Sequence, residues 1–382
     1  MIFNRLRHTT ACLSSLLLIA CASAADVKTE ATAKTKQDAK AADPKPAKSQ
    51  PRKVSPQKAV DGEFANFTQW KEVSDFIDRM VAQHGFERNS LEEVFRKTQY
   101  VETAIQLMKP APPGRPKNWR AYRARFIDPV RINAGVAFWE THAEALSRAE
   151  QQYGVPAEII VGIIGVETVY GRNTGNFRVM DAVTTLAFDY PNTPNRESRM
   201  AFFRGEVENT LLFAREAGID PFSLLGSYAG AIGWPQFMPS SIRRYAIDFD
   251  GDAKIDLRNS PVDAIGSVAH FLVEHGWKPG EPIAFPATVS EAEGSRGWNI
   301  FIGQGLEAKF SLDELKAAGV SPNVEPPSDM KYGLVDLQNG GEPTEYWLGA
   351  GNFFAITQYN RSFFYAMSVV DLGRAVRTAR TR

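Results

Sequence analysis

Phe67, Trp70, Val73, Phe76, Ile77, Met80 and Val81 recur at spacings of three and four, which predicts an amphipathic helix with one face on a core. Helical spacing continues through most of 64–150. It is broken by the proline-rich 110–117, which reads as a loop, and resumes at Trp119–Phe126 and Phe138–Leu146. Between 281 and 345 the pattern changes to Gly, Pro and short apolar runs such as Ile283-Ala284-Phe285 and Tyr332-Gly333-Leu334-Val335, which predicts a small β-rich unit. Ser362–Arg380 returns to helical periodicity and ends in arginines, which suit the last turn of a helix. The predicted class is α+β, predominantly α-helical, with no internal repeat. The predicted units are 61–150 (helical), 151–280 (carrying the strongest chemical signals), 281–345 (β-rich) and 346–382 (returning to the helical part).

The first sixty residues differ from the rest. Arg5 and Arg7 precede the apolar stretch Ala11–Ala20, too short to span a membrane as a helix and shaped as a secretory signal. It ends in Leu18-Ile19-Ala20-Cys21, which resembles the bacterial lipoprotein box. That reading makes 1–21 a signal segment and Cys21 the lipidated residue, anchoring the chain to the outer membrane on its periplasmic side. Ala22-Ser23-Ala24 offers the alternative of ordinary cleavage and release. Residues 26–60 contain no aromatic side chain and nine basic against four acidic ones, so 22–60 reads as a tether that cannot bury enough area to order itself.

Over all 382 residues 44 basic side chains balance 44 acidic ones, but residues 1–60 hold eleven basic and four acidic, so 61–382 carries −7. A mildly acidic body has no field for nucleic acid. The two cysteines, Cys12 and Cys21, both precede the body, which excludes disulfides, thiolate metal sites and thiol catalysis there. The 43% hydrophobic content is that of a globular chain with a substantial core.

Three segments carry candidate chemistry. Ile160, Ile163, Ile164 and Glu167 fall at i, i+3, i+4 and i+7 on a nearly uninterrupted apolar run, with Pro156 suited to its first position and Gly171 to its stop. A carboxyl on such a stripe has its pKa raised by desolvation, as a general acid requires. The alternative is a glutamate at a helix end satisfied by the backbone or by Arg172. The run Gly226–Ser241 mixes glycines with Tyr228, Trp234, Phe237, Ser227 and Gln236, a composition suited to a sugar ring or to a structural turn with buried aromatics. Asp248-Phe249-Asp250-Gly251-Asp252 opens like a calcium loop, but Ala253 and Asn259 stand where the ordinary loop has Gly and Glu. Asp263 would close a longer loop over 248–263, and a solvated acidic turn is the other reading.

In this order the segments resemble the membrane-bound lytic murein transglycosylases of the B type. The diagnostic stretches are IIVGIIGVETVYG, GSYAGAIGWPQFMPSSIRRYAIDFDGD, PVDAIGSVAHFLVEHGW and ITQYNRSFFYAM, covering roughly Trp119 to the C-terminus. The resemblance implies a lysozyme-like catalytic core flanked by a helical domain and a small β domain. It implies cleavage of the β-1,4 bond between N-acetylmuramic acid and N-acetylglucosamine in peptidoglycan strands, with a 1,6-anhydromuramyl product, Glu167 as the single acid/base and no catalytic cofactor. By motif, Ser227, Gln236, Tyr122, Tyr228, Phe237, Arg199, Tyr359, Asn360 and Tyr365 would line the substrate cleft. A structural calcium ion would sit on Asp248, Asp250, Asp252, Asp263 and the Lys254 carbonyl. Protein partners would be cell-wall synthesis or division proteins, which no motif specifies.

This chain departs from the pattern in three places. Asn192–Asn195 reads as an insertion that leaves Arg199 of an arginine pair, Trp234-Pro235 replaces Tyr-Gly, and the acidic loop runs one residue longer before Asp263. Two other function classes stand beside the resemblance: a hydrolytic muramidase using Asp181, Asp189 or Glu206 to activate water, and a non-catalytic peptidoglycan-binding lipoprotein.

Overall fold

The computed structural model describes residues 66–110, 114, 116–291 and 296–381. Cys21, the signal segment, the tether and the start of the body at Phe64 lie outside them. After a short 3-10 turn (Phe67–Gln69), the described residues form three helices, α1 (Lys71–His84), α2 (Arg88–Lys97) and α3 (Glu102–Met108), the first burying Val73, Phe76, Ile77 and Met80 as the spacing predicts. A short α4 (Trp119–Arg123), capped by the Asn118 side chain, leads to α5 (Pro129–Thr141) and α6 (Ala143–Tyr153).

Next comes α7 (Ala157–Thr168), apolar on every face and buried from Ile159 to Val166, so it is the central helix of the molecule. Pro156 stands one place earlier than expected, at the cap. Around it lie α8 (Val179–Phe188), α9 (Arg196–Ala217), α10 (Pro239–Tyr245) and α11 (Pro261–Glu274). The two-residue strands β1 (Phe177–Arg178) and β2 (Leu225–Gly226) pair antiparallel among them.

The β-rich stretch is a five-stranded antiparallel sheet over 284–349, extending past the expected end at 345. Its strands are β3 (Ala284–Val289), β4 (Phe310–Ser311), β5 (Val320–Pro322), β6 (Lys331–Asn339) and β7 (Glu342–Gly349), in the order β4-β6-β7-β3-β5. Helix α12 (Leu312–Ala317) packs Leu312 and Leu315 with Tyr332, Leu334 and Leu348 into a small core of its own. Val335 and Leu337 of β6 join the main helical core instead. The chain ends with α13 (Gly351–Tyr359) and α14 (Phe363–Arg380). Among the described residues no helix is long and apolar enough to cross a membrane.

The contact that matters most for function is the antiparallel packing of α14 on α7. A Cβ added at Gly162 would lie 2.3 Å from the Val369 carbonyl oxygen, and one at Gly373 would lie 2.2 Å from the Glu158 carbonyl oxygen. Missing side chains on both helices therefore let the two backbones approach more closely than any larger residue at these positions would allow. Arg377 pairs with Glu158 at 2.7 Å along the same seam. The register set at these points carries Tyr365, one turn from the start of α14, to the end of α7 where Glu167 sits. Gly162→Ala is expected to destabilise the fold by about 3 kcal/mol, because backbone rather than a flexible side chain meets the new methyl. Urea denaturation of both proteins checks this; an unchanged midpoint would refute the account.

Candidate active site

Glu167 is the next-to-last residue of α7, and the chain leaves the helix at once through Val169, Tyr170 and Gly171, at φ 52°, 56° and 78°. Two consecutive non-glycine residues in the left-handed region, one of them β-branched, are costly and need outside support. Thr168 supplies part of it. Its hydroxyl donates to the Trp234 carbonyl at 3.0 Å and accepts from the Gly171 amide at 3.0 Å. Tyr170 packs on Phe138 with ring centroids 5.2 Å apart, and Trp234 lies against Gly171. The abrupt exit keeps the carboxyl of Glu167 at a helix end, at the edge of the apolar core, where the residue is half-buried.

Desolvation raises the pKa of Glu167 to about 7 from 4.5, opposed by the Tyr365 hydroxyl, which donates to Oε1 at 2.6 Å. Its partner is thus a neutral phenol and not Arg172, which is exposed. The Tyr365 hydroxyl is itself held neutral by burial and by the carboxylate beside it. Tyr359 stacks on Tyr365 at 6.3 Å and 13°, donates its hydroxyl to the Pro235 carbonyl at 2.5 Å, and also feels the charge of Glu167. Tyr122, on α4, is raised to about 12 by burial and by Glu167. These groups converge from α4, α7, the 226–237 segment and the α13–α14 junction. Half-buried Asn360 stands at that junction, as the cap of α13.

The 226–237 segment is a tight double turn. Ser227 Oγ accepts from the amides of Ala229 and Ala231, and Gln236, left-handed at φ 52°, donates to the carbonyls of Gly233 (2.9 Å) and Thr174 (3.3 Å). Ser227, Tyr228 and Gln236 remain half-buried and accessible. Trp234 ties the segment down: its amide donates to Leu257 O at 2.8 Å and its indole to Arg258 O at 3.0 Å. The Arg258 guanidinium in turn donates to the carbonyls of Gly175 and Leu225. Thr168, Leu257 and Arg258 were not among the expected site residues. Thr168 could have been suspected from its place beside Glu167, whereas contacts as distant in sequence as those of Arg258 leave no local pattern.

Two of the expected cleft residues, Phe237 and Arg199, are buried. Phe237 is 2% exposed and packs on Phe271 and Tyr359. Arg199 is 6% exposed, its guanidinium over the rings of Tyr190, Phe202 and Phe203. Arg196, the residue after Asn195, donates to Tyr190 O at 2.7 Å. The three carboxylates weighed as water activators are committed elsewhere. Asp181 accepts from Gln99 N and Arg178 Nε, Asp189 from Tyr100 and Arg196, and Glu206 from the amide and hydroxyl of Ser240.

In the acidic loop one oxygen from each of Asp248, Asp250 and Asp252 lies within 4.8 Å of the others. Ala253 takes φ 67°, the left-handed turn that the ordinary loop gives to Gly at this position. Three converging hard oxygens suit a calcium ion, with the main chain of Lys254 directly following. Asp263 is not one of the converging three. It is 1% exposed, and its oxygens accept from the amides of Phe249, Asp250 and Asp256, so it braces the loop from behind.

A central buried helix thus ends in one desolvated carboxyl with the phenols of Tyr122, Tyr359 and Tyr365 around it, an arrangement of the kind a glycan-cleaving enzyme with a general acid needs. The family profile described as "Transglycosylase SLT domain" matches residues 66–374. The chain is 43% identical over 331 residues to membrane-bound lytic murein transglycosylase B of Escherichia coli K12, covering 85% of this chain and 86% of that protein. It is similar to the crystal structure of SltB1 from Pseudomonas aeruginosa, with 46% identity, 81% of this chain and 100% of that one covered, and a TM-score of 0.73. It is also similar to Escherichia coli Slt35 in complex with calcium, with 42% identity, 86% and 100% covered, and a TM-score of 0.72. The chain belongs to the SLT transglycosylase family and is a peptidoglycan lytic transglycosylase, a non-hydrolytic, lyase-type enzyme.

Because the folded-state pKa of Glu167 lies above its ordinary value, the carboxyl favours the fold while protonated and weakens it as pH rises from about 4.5 through about 7. Glu167→Gln, which mimics the protonated form, should match the parent's stability near pH 4 and exceed it by about 2–3 kcal/mol at pH 8. Urea titrations at the two pH values check this; equal differences at both would refute the desolvated acid.

Proposed function

We propose that Glu167 alone performs both proton transfers of the transglycosylase reaction. The hydrogen bond from Tyr365 to Oε1 supports this reading, because it leaves Oε2 to carry the proton near neutrality. Oε2 protonates the glycosidic oxygen as the bond from the muramyl C1 breaks. The carboxylate then takes the proton of the muramyl C6 hydroxyl, whose oxygen closes on C1 to give the 1,6-anhydro ring. The proton returns to Glu167 and no water is consumed. Commitment of Asp181, Asp189 and Glu206 to hydrogen bonds within the fold argues against a second carboxylate for hydrolysis. Tyr365 orients the acid and opposes its desolvation, Ser227, Tyr228, Gln236 and Asn360 contact the N-acetylated sugars, and Tyr122 and Tyr359 form the wall.

Asp248, Asp250, Asp252 and the Lys254 carbonyl hold a structural calcium ion in this reading. The convergent carboxylates and the calcium-bound relative support it. The ion would fix the loop that supplies Leu257 and Arg258 to Trp234. Lipidation at Cys21 would place the enzyme at the outer membrane facing the periplasm, with 22–60 as the spacer to the cell wall; the Leu18–Cys21 pattern and the membrane-bound relative support this.

Peptidoglycan digested with the parent protein is expected to release fragments at the mass of a reducing muropeptide minus one water, and Glu167→Gln to release none above background. Reducing-end products in mass spectrometry would overturn the non-hydrolytic scheme, and unchanged activity of Glu167→Gln would overturn the residue's role. For the loop, Ala253→Gly should raise the thermal midpoint by a few degrees, since relief of a left-handed alanine is worth about 1 kcal/mol. Added calcium should raise it further and do so less in Asp250→Asn, in thermal melts with and without chelator. Equal calcium shifts in both proteins would remove the site.

A further inference from the structure

Outside the catalytic cleft, the outward face of the β6–β7 hairpin holds a cavity of about 530 Å³. Asp336 and Tyr346 are register partners there, and Gln338 donates to Asp336 at 2.7 Å. Trp298 closes one side, edge-on to Tyr346 at 5.4 Å and fixed by its indole N–H on the Ser290 carbonyl at 2.8 Å. Asn299 of the same turn is exposed, and so is Ile300, at 66%. Lys117 also lines it. We propose that this cavity is a second glycan-binding site, which takes N-acetylated sugar residues of peptidoglycan at a distance from the bond being cut.

The chemistry selects the ligand. Two fixed aromatic rings supply apolar surface for a pyranose, and amide, carboxylate and hydroxyl groups surround them as donors and acceptors for hydroxyl and acetamido groups. Lys117 and Asp336 offset each other in charge, so the site suits a neutral polyhydroxylated ligand better than a polyanion or an acidic peptide. Its size falls within the range of small-ligand sites. Its position fits as well: Lys117 precedes α4, which carries Tyr122 of the cleft wall, a separation of roughly 10 Å along the chain. A strand held at the hairpin is thus within a few sugar rings of Glu167. A second grip raises the local concentration of a polymer without new contacts at the reacting bond.

The inference rests on the transglycosylase reading, and the test separates the two. The full chain carrying Glu167→Gln is mixed with purified sacculi, and binding is measured by co-sedimentation, alone and with Trp298→Ala added. Loss of the aromatic wall should weaken binding by about fivefold or more. With Glu167 intact, Trp298→Ala should slow digestion of sacculi while leaving turnover of a short soluble tetrasaccharide unchanged. Should Trp298→Ala fail to fold, the exposed pair Asn299→Ala with Gln338→Ala decides in its place. Undiminished binding and digestion by the folded variants would overturn the second site while leaving the enzyme reading intact. Absence of anhydro products from the parent would overturn the enzyme reading instead.

Discussion

The close approach of α7 and α14 is the constraint on which the site depends. Gly162 and Gly373 bring each backbone against a carbonyl of the other helix, and that contact fixes both the separation and the register of the pair. Once it is set, Tyr365 has one place to go, and its hydroxyl meets Glu167 across 198 residues of chain. Interiors packed to crystal-like density do not adjust smoothly to an added methyl, so a hydrogen bond anchored this way is held with little slack.

Glu167 stands between two opposed influences. Apolar surroundings push its pKa upward and the phenol of Tyr365 draws it back, and the balance lies at about 7. A carboxyl poised there gives up a proton and takes one back at comparable cost, which is what the role proposed for Glu167 requires. Burial alone would make a reluctant base, and a cation in place of the phenol would make a poor acid. The left-handed exit through Val169 and Tyr170 is the local strain that keeps this group at the edge of the core.

Trp234 joins the site to the acidic loop. Its backbone and indole N–H groups are held by Leu257 and Arg258, and its carbonyl receives the hydroxyl of Thr168, the neighbour of Glu167. Order in the 248–263 loop therefore passes through two peptide groups to the helix end that carries the acid. Asp263 contributes from behind, as a buried acceptor for three amides of that loop.

Much of this was legible in the sequence. The unbroken apolar run before Glu167 announces a buried helix, and a carboxylate on it announces a desolvated acid, because burial follows local periodicity. The change of period after 280 marks the sheet, and the alternating aspartates of 248–252 mark converging oxygens, since neighbours in a turn meet whatever the rest of the chain does. Tertiary structure alone decided which partner Glu167 receives, that Arg199 and Phe237 turn inward, that Asp263 braces the loop without joining its three converging carboxylates, and that Arg258 supports the cleft from a distant loop. Each of these depends on the register in which separate elements pack, and a residue's own neighbours in sequence carry no record of that register.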